Sequence, residues 1–126
     1  MKLLFHKGIH ATLWLVVTTI LCLLPGKDMP EINIVNFDKA AHFLVFGLLC
    51  FLWLRFVWQF KLTQQGKKSS VLIVALAIIF YGGFMEVLQG VFYADRTADV
   101  FDFIANSLGV ITAVVISFMF PVLVKI

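Results

Sequence analysis

The chain has 126 residues, of which 62% are hydrophobic and 13% charged, with a formal net charge of +3 and a mean hydropathy of +1.03. Water-soluble domains run at ~45–50% apolar and ~25% charged residues, so this composition excludes that class and describes an integral membrane protein. Nor does the basic excess describe a nucleic-acid binder: Lys and Arg fall mainly in short segments between apolar runs, the positive-inside pattern.

In chain order, a short head carries Lys2, His6 and Lys7. Residues 8–24 form the first apolar run, near the lower end of the ~17–25 residues of a spanning helix. It opens like a signal peptide but ends in Leu-Leu-Pro-Gly-Lys, without a small-x-small cleavage site, so a retained helix is expected. Pro25-Gly26 and Pro30 then break the chain into a loop with Lys27, Asp28 and Glu31. The next helix is expected over residues 39–60, with Asn36 or Asp38 as N-cap. A polar linker over 61–70, containing Gln64-Gln65-Gly66-Lys67-Lys68, leads to a third helix over 70–92. A fourth covers 99–124, stopping near Pro121. Cys22 and Cys50 both lie inside apolar runs, as inert packing residues rather than a disulfide or metal pair.

The expected fold is therefore all-α, a single domain of four transmembrane helices over 1–126. Lys2, Lys7, Arg55, Lys61, Lys67, Lys68 and Lys125 fall on one side of the membrane, and Lys27, Lys39 and Arg96 on the other. The richer side is cytoplasmic by the positive-inside rule, which puts both termini in the cytoplasm of a cell-membrane protein. All seven acids fall toward the other, extracytoplasmic face.

Two polar stretches interrupt the apolar runs. One is Asp38-Lys39-Ala40-Ala41-His42-Phe43; the other runs from Glu86 to Gly109. At 100° per residue, Asp99, Asp102, Asn106, Gly109 and Ala113 share a stripe of roughly 80°. Gly82, Glu86, Gln89 and Tyr93 share another on the preceding helix. Asp38 and His42 are i,i+4 neighbours. Ionisable groups at membrane depth face a bundle interior or a watery cavity rather than lipid, so the three polar faces are expected to meet. Small residues below them, Gly82, Gly109 and Ala113, allow close helix contact.

Each residue also has a plain structural use. Asp99 and Asp102 suit a helix start, Lys39 and Arg96 suit ion pairs, and Gln89 and Asn106 suit interhelical hydrogen bonds. His42 alone suits a hydrogen-bonded core position. Against that stands the charge: Asp38, Glu86, Asp95, Asp99 and Asp102 oppose only Lys39 and Arg96. Unpaired charge at low dielectric is costly, so a functional pocket is expected. Shared protons, a charged His42, a metal ion, a cationic ligand or exposure of Asp95 would each offset the excess.

Asp38-Lys-x-x-His42-Phe43, Glu86-x-x-Gln89 and Arg96-x-x-Asp99-x-x-Asp102-x-x-x-Asn106-x-x-Gly109, in this order on four apolar runs, resemble the VanZ-like family. The resemblance covers about residues 10–120. That family is named for a protein that accompanies glycopeptide resistance operons and raises teicoplanin resistance. The resemblance implies a group more than a reaction. The chain departs from the family pattern at Phe46, where an aromatic hydroxyl is common, at Ala113, where a second glycine is common, and in lacking a proline before Arg96.

Three functions are compatible with this pattern. As an enzyme on lipid-linked or cell-envelope substrates, the catalytic residues would be His42 as general base, Asp38 as its orienter and Glu86 as acid. Lys39, Gln89, Arg96, Asp99, Asp102 and Asn106 would line the substrate site, Arg96 and Lys39 holding a phosphate or carboxylate. Asp99, Asp102 and His42 could alternatively gather a divalent metal, but their spacing fits no known ligand motif, so no metal site is assigned and no cofactor is named. As a binding or shielding protein, the same pocket would hold a glycopeptide, a lipid head group or a membrane partner. As a proton-coupled transporter, Glu86 and His42 would form a relay, but four helices without a repeat would need an oligomer.

Overall fold

The computed structural model describes residues 2–24, 36–94 and 97–126, with side chains from residue 6 onward. Among them, five helices follow in order: α1 (Lys2–Leu23), α2 (Phe37–Val57), α3 (Gln64–Phe92), α4 (Val100–Met119) and α5 (Pro121–Lys125). The first four are each long and apolar enough to cross a membrane, so the four-helix membrane fold is present as expected. The segment 25–35, including most of the expected first loop, lies outside the described residues.

The helix ends have local causes. At the start of α2, Asn36 adopts a left-handed conformation (φ 60°) and its side chain caps nothing; Asn tolerates that region better than most residues. Its carbonyl still accepts from Ala40 N at 3.0 Å. α3 begins six residues earlier than the expected boundary at residue 70. Thr63 Oγ1 accepts from Gly66 N at 3.1 Å, an N-cap that starts the helix within the polar segment. The expected fourth helix is divided. Pro121 lacks an amide hydrogen and disfavours helical geometry in the residue before it. Phe120 accordingly turns to φ −127°, ψ 65°, and α5 sets off separately.

α2 is the central element, packing most extensively on α4 and also on α1 and α3. Its buried residues Phe46, Leu49, Cys50 and Leu54 form the core together with Val110 of α4 and Val124 of α5. Both cysteines are free and buried. The closest approach is a crossing of glycines: a Cβ at Gly109 would overlap the Phe43 carbonyl oxygen, and one at Gly47 would stand 3.2 Å from the Gly109 oxygen. Helix association in lipid depends on van der Waals contact rather than water exclusion, so this missing side chain decides how near α2 and α4 come. On the opposite face, Phe80, Phe84, Val87 and Val91 of α3 are exposed, an apolar stripe suited to lipid.

The C-terminal ends of α1 and α3 and the N-terminal ends of α2 and α4 meet at one end of the bundle. Gln89 Nε2 donates to the Cys22 carbonyl at 2.6 Å, and Tyr93 Oη donates to the Leu23 carbonyl. At the other end Lys7 Nζ donates to the Lys125 carbonyl at 2.9 Å.

Candidate functional site

The polar faces converge where α2, α3 and α4 meet. α2 contributes Lys39 and His42, less than one turn apart. Lys39 Nζ lies 2.6 Å from Asp38 Oδ2, 2.7 Å from Asp99 Oδ2 and 2.8 Å from Asp102 Oδ1. Asp38 and Asp99 accept hydrogen bonds from the ammonium, whereas Asp102 pairs with it by charge alone, its Oδ1 being buried without a hydrogen-bond donor among the described residues. Asp38 is the outermost of these, its side chain 62% exposed, whereas that of Asp102 is 11% exposed. Asp99 also caps α4, accepting from Phe101 N at 2.8 Å. The Lys39 ammonium, and after it the Phe101 amide, hold the Asp99 carboxyl below the ordinary carboxylate range.

One turn deeper, His42 Nδ1 and Asn106 Oδ1 are 3.0 Å apart. With the amide oxygen as acceptor, Nδ1 carries the proton and Nε2 is left to exchange one. Nε2 faces Asp102 Oδ2 at 3.6 Å, and Nδ1 stands 3.9 Å from Glu86 Oε1. These gaps exceed a hydrogen bond and lie at the outer edge of ion-pair range, so they pair only when the ring is protonated. Glu86 is anchored by its other oxygen, which accepts from Asp99 N at 3.2 Å. Behind the imidazole, Phe46 stacks at 6.4 Å between centroids. Gly82 makes room for this layer, since a Cβ there would stand 3.1 Å from Phe46 Cε1 and 3.3 Å from Asn106 Nδ2.

Of the residues expected in the pocket, His42, Glu86, Asp102 and Asn106 form one contact group and Asp38, Lys39, Asp99 and Asp102 another, joined through Asp102 and through the Asp99 amide bond to Glu86. Asp38 is paired with Lys39, and the recorded polar neighbours of His42 are Asn106, Asp102 and Glu86. Gln89 bonds to neither group but to the Cys22 carbonyl of α1, while lining the same cavity as His42. Arg96 and Asp95 lie outside the described residues. His42, Glu86 and Asp102 each bring one ligand atom within 4.8 Å of the others, as do Asp38, Asp99 and Asp102. The first trio could hold a divalent cation, whereas the second already encloses the Lys39 ammonium.

α1 is the contributor that the polar pattern did not reveal. With α2 and α3 it closes a cavity of about 120 Å³ beside His42, lined also by Leu21, Cys22, Ala41, Val45, Phe46 and Gln89. That is room for several waters or a small reacting group. Trp14 Nε1 ties α1 to this wall by donating to the Val45 carbonyl at 3.1 Å. The acceptors α1 presents to Gln89 and Tyr93 are backbone carbonyls, for which side-chain identity gives no signal.

Comparison with known proteins bears on this arrangement. The family model described as VanZ/LLP1 matches residues 3–121. The Schizosaccharomyces pombe protein named "Uncharacterized protein C11E3.10" is 32% identical over 106 residues, which cover 84% of this chain and 59% of that protein. The chain thus spans well under two thirds of that relative's length. No solved structure matches. A match over nearly the whole chain, together with four membrane-crossing helices, makes this a multi-pass VanZ-like membrane protein: the chain belongs to the VanZ/LLP1 family.

Proposed function

We propose that the protein is an enzyme acting on a lipid-linked or cell-envelope substrate, with its site on the extracytoplasmic face of the cell membrane. The observation that carries this reading is the setting of His42. Its Nδ1 is fixed by Asn106, its Nε2 faces Asp102, and its ring borders a cavity of about 120 Å³. A base with one nitrogen oriented and the other facing a carboxylate can take a proton and have the resulting imidazolium stabilised. Glu86, 5% exposed and held by the Asp99 amide, serves as the acid. Asn106 and Asp102 take the orienting role first assigned to Asp38, which instead helps to seat Lys39. Because the Lys39 ammonium is surrounded by three carboxylates, contact with an anionic part of the substrate falls to Arg96. Gln89 lines the cavity wall, and Asp99 holds the loop-side edge of the site.

A lipid-linked substrate is supported by an apolar cleft of about 500 Å³ along the α2–α4 crossing, running from Phe43, the neighbour of His42, to Leu123. It lies within the usual range of ligand pockets, ~300–1,000 Å³. Placement of the site outside the cytoplasm rests on the seven-to-three distribution of Lys and Arg. A contribution to glycopeptide (teicoplanin) resistance rests on the family likeness alone; deletion of the gene should then lower teicoplanin tolerance, and unchanged tolerance would remove that part of the proposal. The reaction itself is tested by comparing lipids and cell-wall precursors in cells with the protein, without it, and with His42→Ala.

A further inference from the structure

The end of the bundle away from His42 has the opposite charge problem. All seven acids occupy positions 28–38 and 86–102, so no carboxylate side chain is available among residues 1–27, 39–85 or 103–126. Yet Lys7 is 6% exposed. Its ammonium has three protons and, among the described residues, one acceptor, the Lys125 carbonyl at 2.9 Å.

Arg55, in the last turn of α2, is brought alongside. Gly8 packs on Phe56, a Cβ there standing 3.2 Å from the Phe56 ring, so the chain neighbours of Lys7 and Arg55 are in contact. Arg55 Nε is buried without an acceptor among the described residues, and so is Trp58 Nε1 one turn on. Lys67 Nζ lies 5.4 Å from the centre of the Trp58 ring. Two adjacent like charges, one nearly buried, beside buried donors that lack acceptors, would be costly if left alone.

We propose that Lys7 and Arg55 form an anion site for a phosphate group, supplied by an anionic phospholipid of the facing leaflet. The chemistry is that of the residues: a guanidinium presents paired donors to a phosphate and an ammonium adds a point charge. A phosphodiester between α1 and α2 would accept from Arg55 Nε and neutralise Lys7. Its acyl chains would run along the exposed apolar surface below. This site is separate from the His42 pocket and independent of its reaction.

The test uses the full chain purified in detergent, reconstituted with phosphatidylglycerol or phosphatidylcholine, and read by native mass spectrometry and phosphorus content. One tightly retained phosphatidylglycerol per chain is expected, with phosphatidylcholine lost on washing. Lys7→Gln and Arg55→Gln should each weaken retention by about fivefold, given ~1 kcal/mol per basic residue near an anionic lipid surface. Lys7→Arg and Arg55→Lys should keep the lipid and serve if a Gln variant fails to fold. Gln at the exposed Lys61 and Lys68 should change nothing. Millimolar inorganic phosphate that displaces the lipid from the wild type, but adds nothing to the Gln variants, would support the phosphate site with a free anion as an alternative source. Equal retention in wild type and the Lys7 and Arg55 Gln variants would overturn the proposal. So would an equal loss from Lys61→Gln and Lys68→Gln, which would mark diffuse interfacial charge.

Discussion

His42 of α2 and Asn106 of α4 are joined through Nδ1 and Oδ1 at 3.0 Å, although 64 positions apart in the chain. Asn106 is 1% exposed, and its removal leaves His42 Nδ1 without this partner. Asn106→Ala should therefore destabilise the protein by ~1–3 kcal/mol, the penalty for a buried donor left without its partner. Its activity should fall further than stability loss accounts for, because the ring loses its orientation. Thermal unfolding in detergent, followed by turnover measured on the folded fraction, separates the two effects.

The crossing at Gly109 is a sharper packing test. Gly109→Ala should push α2 and α4 apart, since the new methyl meets the Phe43 carbonyl, which is backbone and cannot rotate away. A loss of at least ~1–3 kcal/mol is expected from overpacking, seen as reduced yield and a lower unfolding temperature. Ala113→Gly, one turn on, adds no atom at the crossing, so its loss should be limited to the ~1 kcal/mol cost of a glycine inside a helix, without separating α2 and α4.

Lys39 holds Asp38, Asp99 and Asp102 together, so Lys39→Met should leave three neighbouring carboxylates in mutual repulsion. The cluster is partly exposed and water screens part of the effect, so ~1–3 kcal/mol of destabilisation at neutral pH is expected. The pH dependence should also reverse. In the wild type the Asp99 carboxyl is held below its ordinary value of 3.8. The stability it contributes is present above that value and lost as pH falls through the lowered one. In Lys39→Met, acid should instead relieve repulsion and raise stability. Unfolding temperature measured from pH 7 down to about pH 2, below the ordinary carboxylate value, distinguishes the two slopes.

Gln89 is 2% exposed and ties α3 to the Cys22 carbonyl. Gln89→Leu keeps the volume and removes the bond, at an expected ~1 kcal/mol. It should loosen α1 at the cavity wall. Faster amide exchange in α1 around Cys22, with α2–α4 protection unchanged, is the measurement that checks it.

Much of this arrangement is legible from residue order. Asp102, Asn106, Gly109 and Ala113 are buried together, as are Gly82, Glu86 and Gln89, because a polar or small residue recurring at helical spacing in an apolar run has few places to go but inward. Partner choice is less legible. Asp38 and His42 have a favourable i,i+4 spacing, yet the adjacent Lys39 takes the Asp38 carboxylate, and the histidine finds its partners on α3 and α4. Spacing along one helix carries no information about what another helix presents. The start of α3 at Gln64 was hidden for a different reason. Polar residues look the same in a linker and in a helix that extends beyond the bilayer, and Thr63 makes the difference through one capping bond. The break at Phe120 follows from Pro121, but the apolar run continues through it and masks the interruption.

The most direct test concerns His42. Membrane lipids and cell-wall precursors are compared in a deletion strain carrying the wild-type protein, His42→Ala, Glu86→Gln or no protein, with equal protein levels verified by immunoblot. The expected result is a lipid-linked or precursor species that changes with the wild type and returns to the deletion pattern in both variants. Wild-type and His42→Ala cells with the same altered profile, differing from the deletion strain, would contradict a reaction at this site and leave binding as its use.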